Sequence, residues 1–464
     1  MVLQSLQLKN YRIHSDSFLT FSDGINFIVG ENGQGKTTIL EAIYSLCTTK
    51  NFKASSDQEL LQFSTVACEV TGTFQEYTSD IVRIYYSSTE TKRSFLVNGK
   101  LIYRPSEVIG KFPIVLLTPE DHQLTQGAPA DRRKFVDAIL SQSNPLYMET
   151  LLDYSKTLKH RSFLLNKMKE EYRSVSLDEL EAWNTKMVTA GSSLIIYRKK
   201  FLTLFNSYLA QAYSAILNDE ELPLIEYQTT IANGETGLEE KFSEQLAKRK
   251  DEEIRRGTNL VGPHRDDFIF SINGKALKVF GSQGQHKTFQ VALRFAQFFY
   301  MKDILGRTPI FLLDDAFGEL DARRAAHISN YIRNVGQAFI TATDLANLSS
   351  FLRSENDKVI KFQAVRLHMR SHQVKSLAEL LASEPGLRKI NSFIKNNEVI
   401  DKFYEIFPAF EKIAEPQKVE RKILLLKVEN PAWRNELFLQ KERLVEIINE
   451  FFGEKRINYL KLIG

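Results

Sequence analysis

Apolar and polar positions alternate through the first thirty residues. Leu3, Leu6 and Leu8, then Phe18, Leu19 and Phe21, lead to the run Ile25-Asn26-Phe27-Ile28-Val29. This period of two predicts a hairpin or meander feeding a buried strand. Thr37–Leu46 then takes a helical period. Short β runs come next at Ala67–Phe74, Ile81–Tyr86 and Phe95–Val97, with Asn98-Gly99 as a tight hairpin turn and Ile114–Leu117 as another buried strand. From about Asp131 to Asn218 the period is helical, over Leu151–Tyr172 and again over Trp183–Leu217, with no proline between Pro145 and Pro223. That predicts a helical, hairpin-like insertion. Strand character returns at Phe268–Ile272, with a turn at Asn273-Gly274. A helix over Gly284–Leu305 and strands over Ile310–Leu313 and Ala338–Thr341 complete this part. Near Lys361–Met369 the pattern breaks. The remaining residues read as a separate module with a helix-like start (Val374–Leu381), a strand (Lys422–Glu429) and a helix (Trp433–Phe452) that turns Leu437, Leu444, Ile447 and Ile448 inward.

Composition adds limits. A chain of 464 residues exceeds one ordinary core, so two to four domains are expected. The formal charge of +4 is carried by residues 363–464, with 18 basic and 14 acidic side chains; the rest is balanced at 43 of each. Polyanion binding by the main body must therefore use local patches. Two cysteines, Cys47 and Cys68, exclude a disulfide framework and a metal–cysteine cluster. No signal-peptide pattern opens the chain, and no apolar run approaches the ~18 residues of a membrane span. A cytoplasmic protein is expected.

The most specific signal is Gly30-Glu31-Asn32-Gly33-Gln34-Gly35-Lys36-Thr37. A strand precedes it and a helix comes after, the setting of a G-x-x-x-x-G-K-[ST] phosphate loop. Glycines let backbone N–H groups turn inward around phosphates, and the helix N-terminus adds a favourable dipole. One such dipole contact contributes only about 0.3–1 kcal/mol, so several donors and the Lys36 ammonium must act together. Thr37 is the expected Mg²⁺ ligand, and Thr38 continues the loop into the helix. Far downstream, Ile310-Phe311-Leu312-Leu313 exits into Asp314-Asp315. Paired acids at the end of a buried strand fit a Mg²⁺ ligand, Asp314, beside a water-polarising base, Asp315. Together the two segments predict binding and hydrolysis of ATP.

Further segments make a resemblance specific. Ser282-Gln283-Gly284-Gln285 opens a helix just before the acidic strand and resembles the signature motif of ABC-type ATPases. Glu319-Leu320-Asp321 stands where that superfamily has its D-loop. Leu260-Val261-Gly262-Pro263-His264-Arg265-Asp266-Asp267, Pro119-Glu120-Asp121 and Asn10-Tyr11-Arg12 complete a set that resembles the RecF family of DNA repair ATPases. The resemblance covers about residues 1–362. It implies an α/β fold: an ABC-type head of the SMC/Rad50-like P-loop kind, in two parts (1–120 and 256–362), with a helical lobe inserted (121–255). It also implies slow ATP hydrolysis, ATP-dependent dimerisation with two composite sites, and binding of gapped DNA or single-strand/double-strand junctions. It implies work with the RecO and RecR mediators in gap repair, replication maintenance and the SOS response as well. Arg12 would lie near the nucleotide. Ser282, Gly284, Gln285 and Asp321 would reach the ATP of a second copy.

The chain departs from transporter-type ABC proteins. Gln283 replaces a glycine, the catalytic acid is Asp315 rather than Glu, and Thr341-Ala342-Thr343-Asp344 stands in place of a switch histidine. Thr343 or Asp344 is the candidate there for γ-phosphate sensing, and Gln123 the candidate for a glutamine loop. His264-Arg265 reads either as a salt-bridged turn between lobes or as a group near nucleotide or DNA. Lys159-His160-Arg161 and Arg198-Lys199-Lys200 read either as solvated helix faces or as phosphate contacts.

The last module, residues 369–464, resembles the DciA-like family of small replication proteins, some of which recruit the replicative helicase. It does so through Met369–Leu377, the strand over Lys422–Glu429 and Asn430-Pro431-Ala432-Trp433-Arg434-Asn435-Glu436-Leu437. The aromatic segment from Phe403-Tyr404 to Phe410 is altered relative to that family. The alternative is an unrelated α/β cap that buries Trp433. For the whole chain, the alternative to an ATP-gated DNA clamp is an ATP-dependent scaffold with little catalysis whose C-terminal module is the effector.

Overall fold

The computed structural model describes residues 1–90, 92–170, 177–217, 221–231, 237–315, 322–343, 356–361, 398–411, 413–420 and 422–463. The chain divides into two units, Met1–Arg366 and Leu367–Gly464.

The N-terminal alternation folds as a six-stranded antiparallel sheet. His14–Thr20 forms one edge, with Val2–Tyr11, Ala67–Gln75, Ser79–Ser87, Lys92–Val97 and Lys100–Ile102 in order beside it. Asn98 and Gly99 both take positive φ, 51° and 77°, as a two-residue hairpin turn requires. The inner face of the sheet, with Leu3, Leu6, Leu8, Val70 and Phe74, packs with Ile39, Leu40, Ile43 and Leu46 of the helix Lys36–Thr48.

A second sheet has five parallel strands in the order Lys358–Lys361, Ile25–Val29, Ala338–Ala342, Ile310–Leu313, Ile114–Leu117. Ile25–Val29, Ile310–Leu313 and Ala338–Ala342 are buried throughout. Strands covered on both faces read as near-continuous apolar runs, interrupted here by the buried Asn26 and Thr341, which is why they showed no alternation. Because the strands are parallel, their C-terminal ends emerge together. Val29 pairs with Ala342 and Leu313 with Ile340, so the phosphate loop and the acid pair leave the sheet along one edge.

The lobe contains the helices Pro145–Glu170, Leu177–Leu217 and Leu238–Arg256. It is not wholly helical. Pro223–Gln228 pairs with Asp267–Ile272, which pairs with Lys275–Ala276, so a boundary at residue 256 falls between strands of one sheet. Two arginines of the expected basic clusters point inward. Arg161, 1% exposed, pairs with Glu253 at 2.5 Å and reaches Asn184 Oδ1 at 2.7 Å. Arg198, 2% exposed, pairs with Asp137 at 2.8 Å and donates to the Pro263 carbonyl at 2.8 Å. Both lie on the buried stripe of their helices, so the phosphate-contact reading of these clusters fails for Arg161 and Arg198. Lys159, His160 and Lys200 remain exposed.

In the C-terminal unit, Glu415–Glu420 runs antiparallel and Tyr459–Ile463 parallel to the central strand Ile423–Lys427. The single helix expected over Trp433–Phe452 is two, Pro431–Leu439 and Lys441–Phe451. They part at Gln440, whose φ of −96° and ψ of 3° leave helical geometry. Leu437, Leu444 and Ile448 are core residues, with Phe403 and Phe407 of the aromatic segment. Trp433 is 44% exposed, against the alternative in which this module buries it. The expected helix at Val374–Leu381 lies outside the described residues. Among the described residues, no helix is long and apolar enough to cross a membrane.

Candidate functional site

The phosphate loop is closed on itself. Gly33 and Gly35 both have φ of 82°, where a β-carbon would be strained. Gly35 has a second reason to be glycine: a Cβ there would lie 2.5 Å from Ile13 Cδ1 and 2.8 Å from His14 Nε2. The turn between the first two strands thus clamps the loop. Gln34 Oε1 accepts the Glu31 N–H at 2.9 Å. Lys36, 8% exposed, donates from Nζ to the carbonyls of Gly30 at 2.5 Å and Glu31 at 2.9 Å. Burial lowers its pKa, opposed by the nearby Asp315 and Asp314 carboxylates.

The acid pair meets the loop at the sheet edge. Thr37 Oγ1 donates to Asp314 Oδ1 at 2.9 Å, across 277 residues of sequence. Thr341 Oγ1 donates to the same oxygen at 2.9 Å and accepts the Asp315 N–H at 2.8 Å. Burial raises the Asp314 pKa, while the Thr341 and Thr37 hydroxyls lower it. Asp315 is exposed and holds φ of 47°, a left-handed conformation uncommon outside glycine. A hydroxyl and a carboxylate oxygen on one wall are hard donors suited to Mg²⁺, which keeps waters and phosphate oxygens as its other ligands. Among the described residues no cluster of three His, Cys, Asp or Glu side chains could hold a metal by itself.

Arg12 stands over the loop helix. Its Nη2 lies 2.6 Å from Glu41 Oε2. The Glu41 side chain is 0% exposed and accepts the N–H groups of Lys53 at 3.1 Å and Ala54 at 2.7 Å. Asn32–Thr38, Arg12, Asp314 and Asp315 line one cleft of about 550 Å³, together with Ile13, Lys53, Glu59, Leu61, Phe63 and Thr341. Gly30 and Glu31 reach the site through the carbonyls that hold Lys36.

Ser282, Gly284 and Gln285 are absent from this lining. Ser282 is the exposed N-cap of the helix Gln283–Leu305; its Oγ accepts the Gln285 N–H at 3.2 Å, and its own N–H donates to Gln285 Oε1 at 2.9 Å. Gln285 Nε2 is engaged by Glu221 at 2.7 Å. At Gly284 a Cβ would lie 3.0 Å from the Arg324 guanidinium, so a side chain there would require that guanidinium to shift by a few tenths of an ångström. Asp321 and Asp344 lie outside the described residues. Thr343 and Gln123 are not on the cleft wall.

The remaining motifs serve the architecture. Asp121 pairs twice with Arg294 of the Gln283–Leu305 helix, at 2.6 and 2.7 Å. His264 Nδ1 bonds Tyr154 OH at 2.7 Å, and Arg265 donates to the Asn259 carbonyl at 2.7 Å. Neither His264 nor Arg265 lines the cleft, so the turn-between-lobes reading is the one the geometry favours. Burial lowers the His264 pKa to about 4. Sequence reasoning missed Thr341 and Glu41. The signal for Thr341 was a lone hydroxyl ending a buried strand; Glu41 gave none beyond an acid on an apolar helix.

Residues 2–366 match the family model described as RecF/RecN/SMC N terminal domain. The DNA replication and repair protein RecF of Chloroherpeton thalassium is 40% identical over 353 residues, covering 74% of this chain and 95% of that protein. The chain belongs to the RecF family. RecF of Salinibacter ruber is 38% identical over 363 residues, covering 76% of this chain and 88% of its own. Two solved structures, of the recombination mediator protein RecF with ATPrS and with ATP in the RecFOR pathway, superpose with TM-scores of 0.70 and 0.68. Their identities are 29% and 31%, and they cover 78% and 74% of this chain and 96% and 92% of theirs. The head is thus the ABC-type ATPase fold of this family of DNA replication and repair proteins. Residues 374–462 match the model described as "Dna[CI] antecedent, DciA".

Proposed function

We propose that this RecF-family chain is a DNA-binding ATPase that dimerises with ATP on gapped DNA and acts with RecR and RecO in recombinational repair. The reading is supported most directly by the Thr37–Asp314 contact at 2.9 Å, which joins phosphate loop and acid pair in one cleft. The loop amides and Lys36 hold the β- and γ-phosphates. Thr37 and Asp314 would hold Mg²⁺, which neutralises developing phosphate charge when bound. Asp315, on the rim and fixed through its N–H by Thr341, accepts the proton of the attacking water. Arg12 lies along the nucleotide.

Ser282, outside the cleft and exposed, fits a donor to the nucleotide of a second copy, with Gly284 allowing close approach; Asp321 is assigned to the same composite site in this reading. Gln285 acts in this reading by capping that helix. Turnover is slow, because the short Asp315 side chain holds water at longer reach than a glutamate. The C-terminal module brings the replicative helicase to the gap the head marks.

The test is ATP hydrolysis and self-association on gapped DNA. Asp315→Asn is expected to bind ATP and dimerise but turn over far more slowly, and Lys36→Arg to lose ATP-dependent dimerisation. Unchanged turnover in the first, or nucleotide-independent dimers in both, refutes the reading. Capture of helicase by the full chain, lost on removing residues 363–464, tests the module's role.

A further inference from the structure

The cleft wall carries two chemistries. The loop amides, the Lys36 ammonium and the acid pair suit phosphate and metal. Ile13, Leu61 and Phe63 line the same cleft and have no part in phosphate chemistry. Phe63 is 96% exposed and Ile13 56%. A phenyl ring left almost wholly in water is a standing cost to the fold unless something covers it.

The presentation of this ring is built. The Arg12 N–H donates to the Leu60 carbonyl at 2.8 Å, and the Gln62 N–H to the Asn10 carbonyl at 2.8 Å. These bonds fasten residues 60–62 to the same turn that carries Arg12 and Ile13. Thr65 then donates twice to the Gln62 carbonyl, from N–H at 3.1 Å and from Oγ1 at 2.8 Å. This closes a tight turn over Gln62–Thr65. Ser64 within it takes φ of 67°, a conformation serine seldom adopts. The turn projects Phe63 into the cleft mouth instead of letting it fold back on the sheet.

We propose that Phe63, with Ile13 and Leu61 beside it, is the platform on which the base of the bound nucleotide stacks. This rests on the nucleotide reading of the cleft and adds what recognises the other half of the ligand. A triphosphate anchored at the loop tethers its nucleoside within the same cleft, so the ring meets its platform without a second association step. Stacking reads the face of a base rather than its edge, and every base has such a face. The platform therefore ranks nucleotides by ring size, with purine triphosphates above uridine triphosphate.

The test is calorimetric titration of the full chain with ATP, UTP and inorganic tripolyphosphate, each with Mg²⁺. Wild type should bind ATP more tightly than UTP. Phe63→Ala should weaken ATP about ten-fold, the order expected for loss of one base–aromatic stack, and leave tripolyphosphate unchanged. Phe63→Tyr should restore ATP. Equal ATP affinity in wild type and Phe63→Ala overturns the platform. So does an equal loss for tripolyphosphate, which would mean a distorted loop. Unchanged nucleotide affinity with lost ATP-dependent self-association also overturns it, since the ring would then be covered by a second copy. Failure of the wild type to bind ATP or tripolyphosphate would sink the nucleotide reading itself, a result distinct from ATP binding that ignores residue 63.

Discussion

Replacing Thr341 with valine keeps the shape of the side chain and removes one hydroxyl. That hydroxyl donates to Asp314 Oδ1 at 2.9 Å and accepts the Asp315 N–H at 2.8 Å. A bond to a charged group contributes about 1.5–3 kcal/mol, and leaving an amide unpaired costs about 1 kcal/mol more. Asp315 also sits at φ of 47°, which for a residue with a Cβ costs on the order of 1–2 kcal/mol. The Thr341 bond is what holds it there. Losing roughly 2–4 kcal/mol of anchoring frees the Asp315 backbone to relax and turns its carboxylate away from the water it must orient. If half to most of that appears in the barrier, kcat falls about ten- to hundred-fold, at about 1.4 kcal/mol per factor of ten. Thr341 makes no bond to the phosphate loop, so the Kd for ATP should stay within about three-fold, a change of under about 0.7 kcal/mol. The assay is kcat at saturating Mg·ATP beside an equilibrium ATP titration, with Thr341→Ser, which keeps the hydroxyl, near wild type. Unchanged turnover in Thr341→Val, or an equal loss in Thr341→Ser, would refute the reasoning.

Three more expectations arise from groups the fold buries. Burial raises the Asp314 pKa, so its charge opposes folding near neutral pH, and stability is regained as pH falls through the folded value. Asp314→Asn keeps an oxygen for Thr37 and Thr341, and should raise the Tm of the nucleotide-free protein while lowering Mg²⁺-dependent hydrolysis at least about a hundred-fold; a lower Tm contradicts this. His264 is held down to about 4 by burial, below the ordinary 6.5, so stability present above pH 6.5 is lost as pH falls from about 6.5 to 4. The slope is at most about 1.4 kcal/mol per pH unit; urea midpoints across that window should flatten in His264→Gln, and an unchanged slope would place the titration elsewhere. Arg161→Ala leaves Glu253 buried without its partner and should cost about 3–5 kcal/mol in urea unfolding of the lobe; a loss under about 1 kcal/mol would mean water enters and solvates Glu253.

What could be read from the sequence was whatever local period or backbone demand encodes. Strands buried on both faces announced themselves as near-continuous apolar runs, and Asn98-Gly99 and Asn273-Gly274 as turns that need positive φ. The loop Gly30–Thr37 and the pair Asp314-Asp315 were legible because phosphate and metal chemistry restricts residue type at fixed spacing. Pairings between distant segments were not. Nothing local says that Pro223–Gln228 joins Asp267–Ile272, that Arg161 turns inward to Glu253, or that Thr341 ties the two acids together. A charged residue on a helix looks solvated until the partner on another element is known. Phe63 escaped notice because a single phenylalanine among β runs reads as core, whereas its turn carries it out into the cleft.

We propose that the cleft is half of a site completed by the Ser282 helix of a second copy. Sedimentation of wild type and Ser282→Arg with ATP, with ADP and without nucleotide tests this most directly, provided ATP binding to each is measured alongside. The wild type is expected to double in mass with ATP alone, and Ser282→Arg to bind ATP as tightly yet remain a monomer. Association of Ser282→Arg equal to wild type, or a wild-type dimer indifferent to nucleotide, would contradict it.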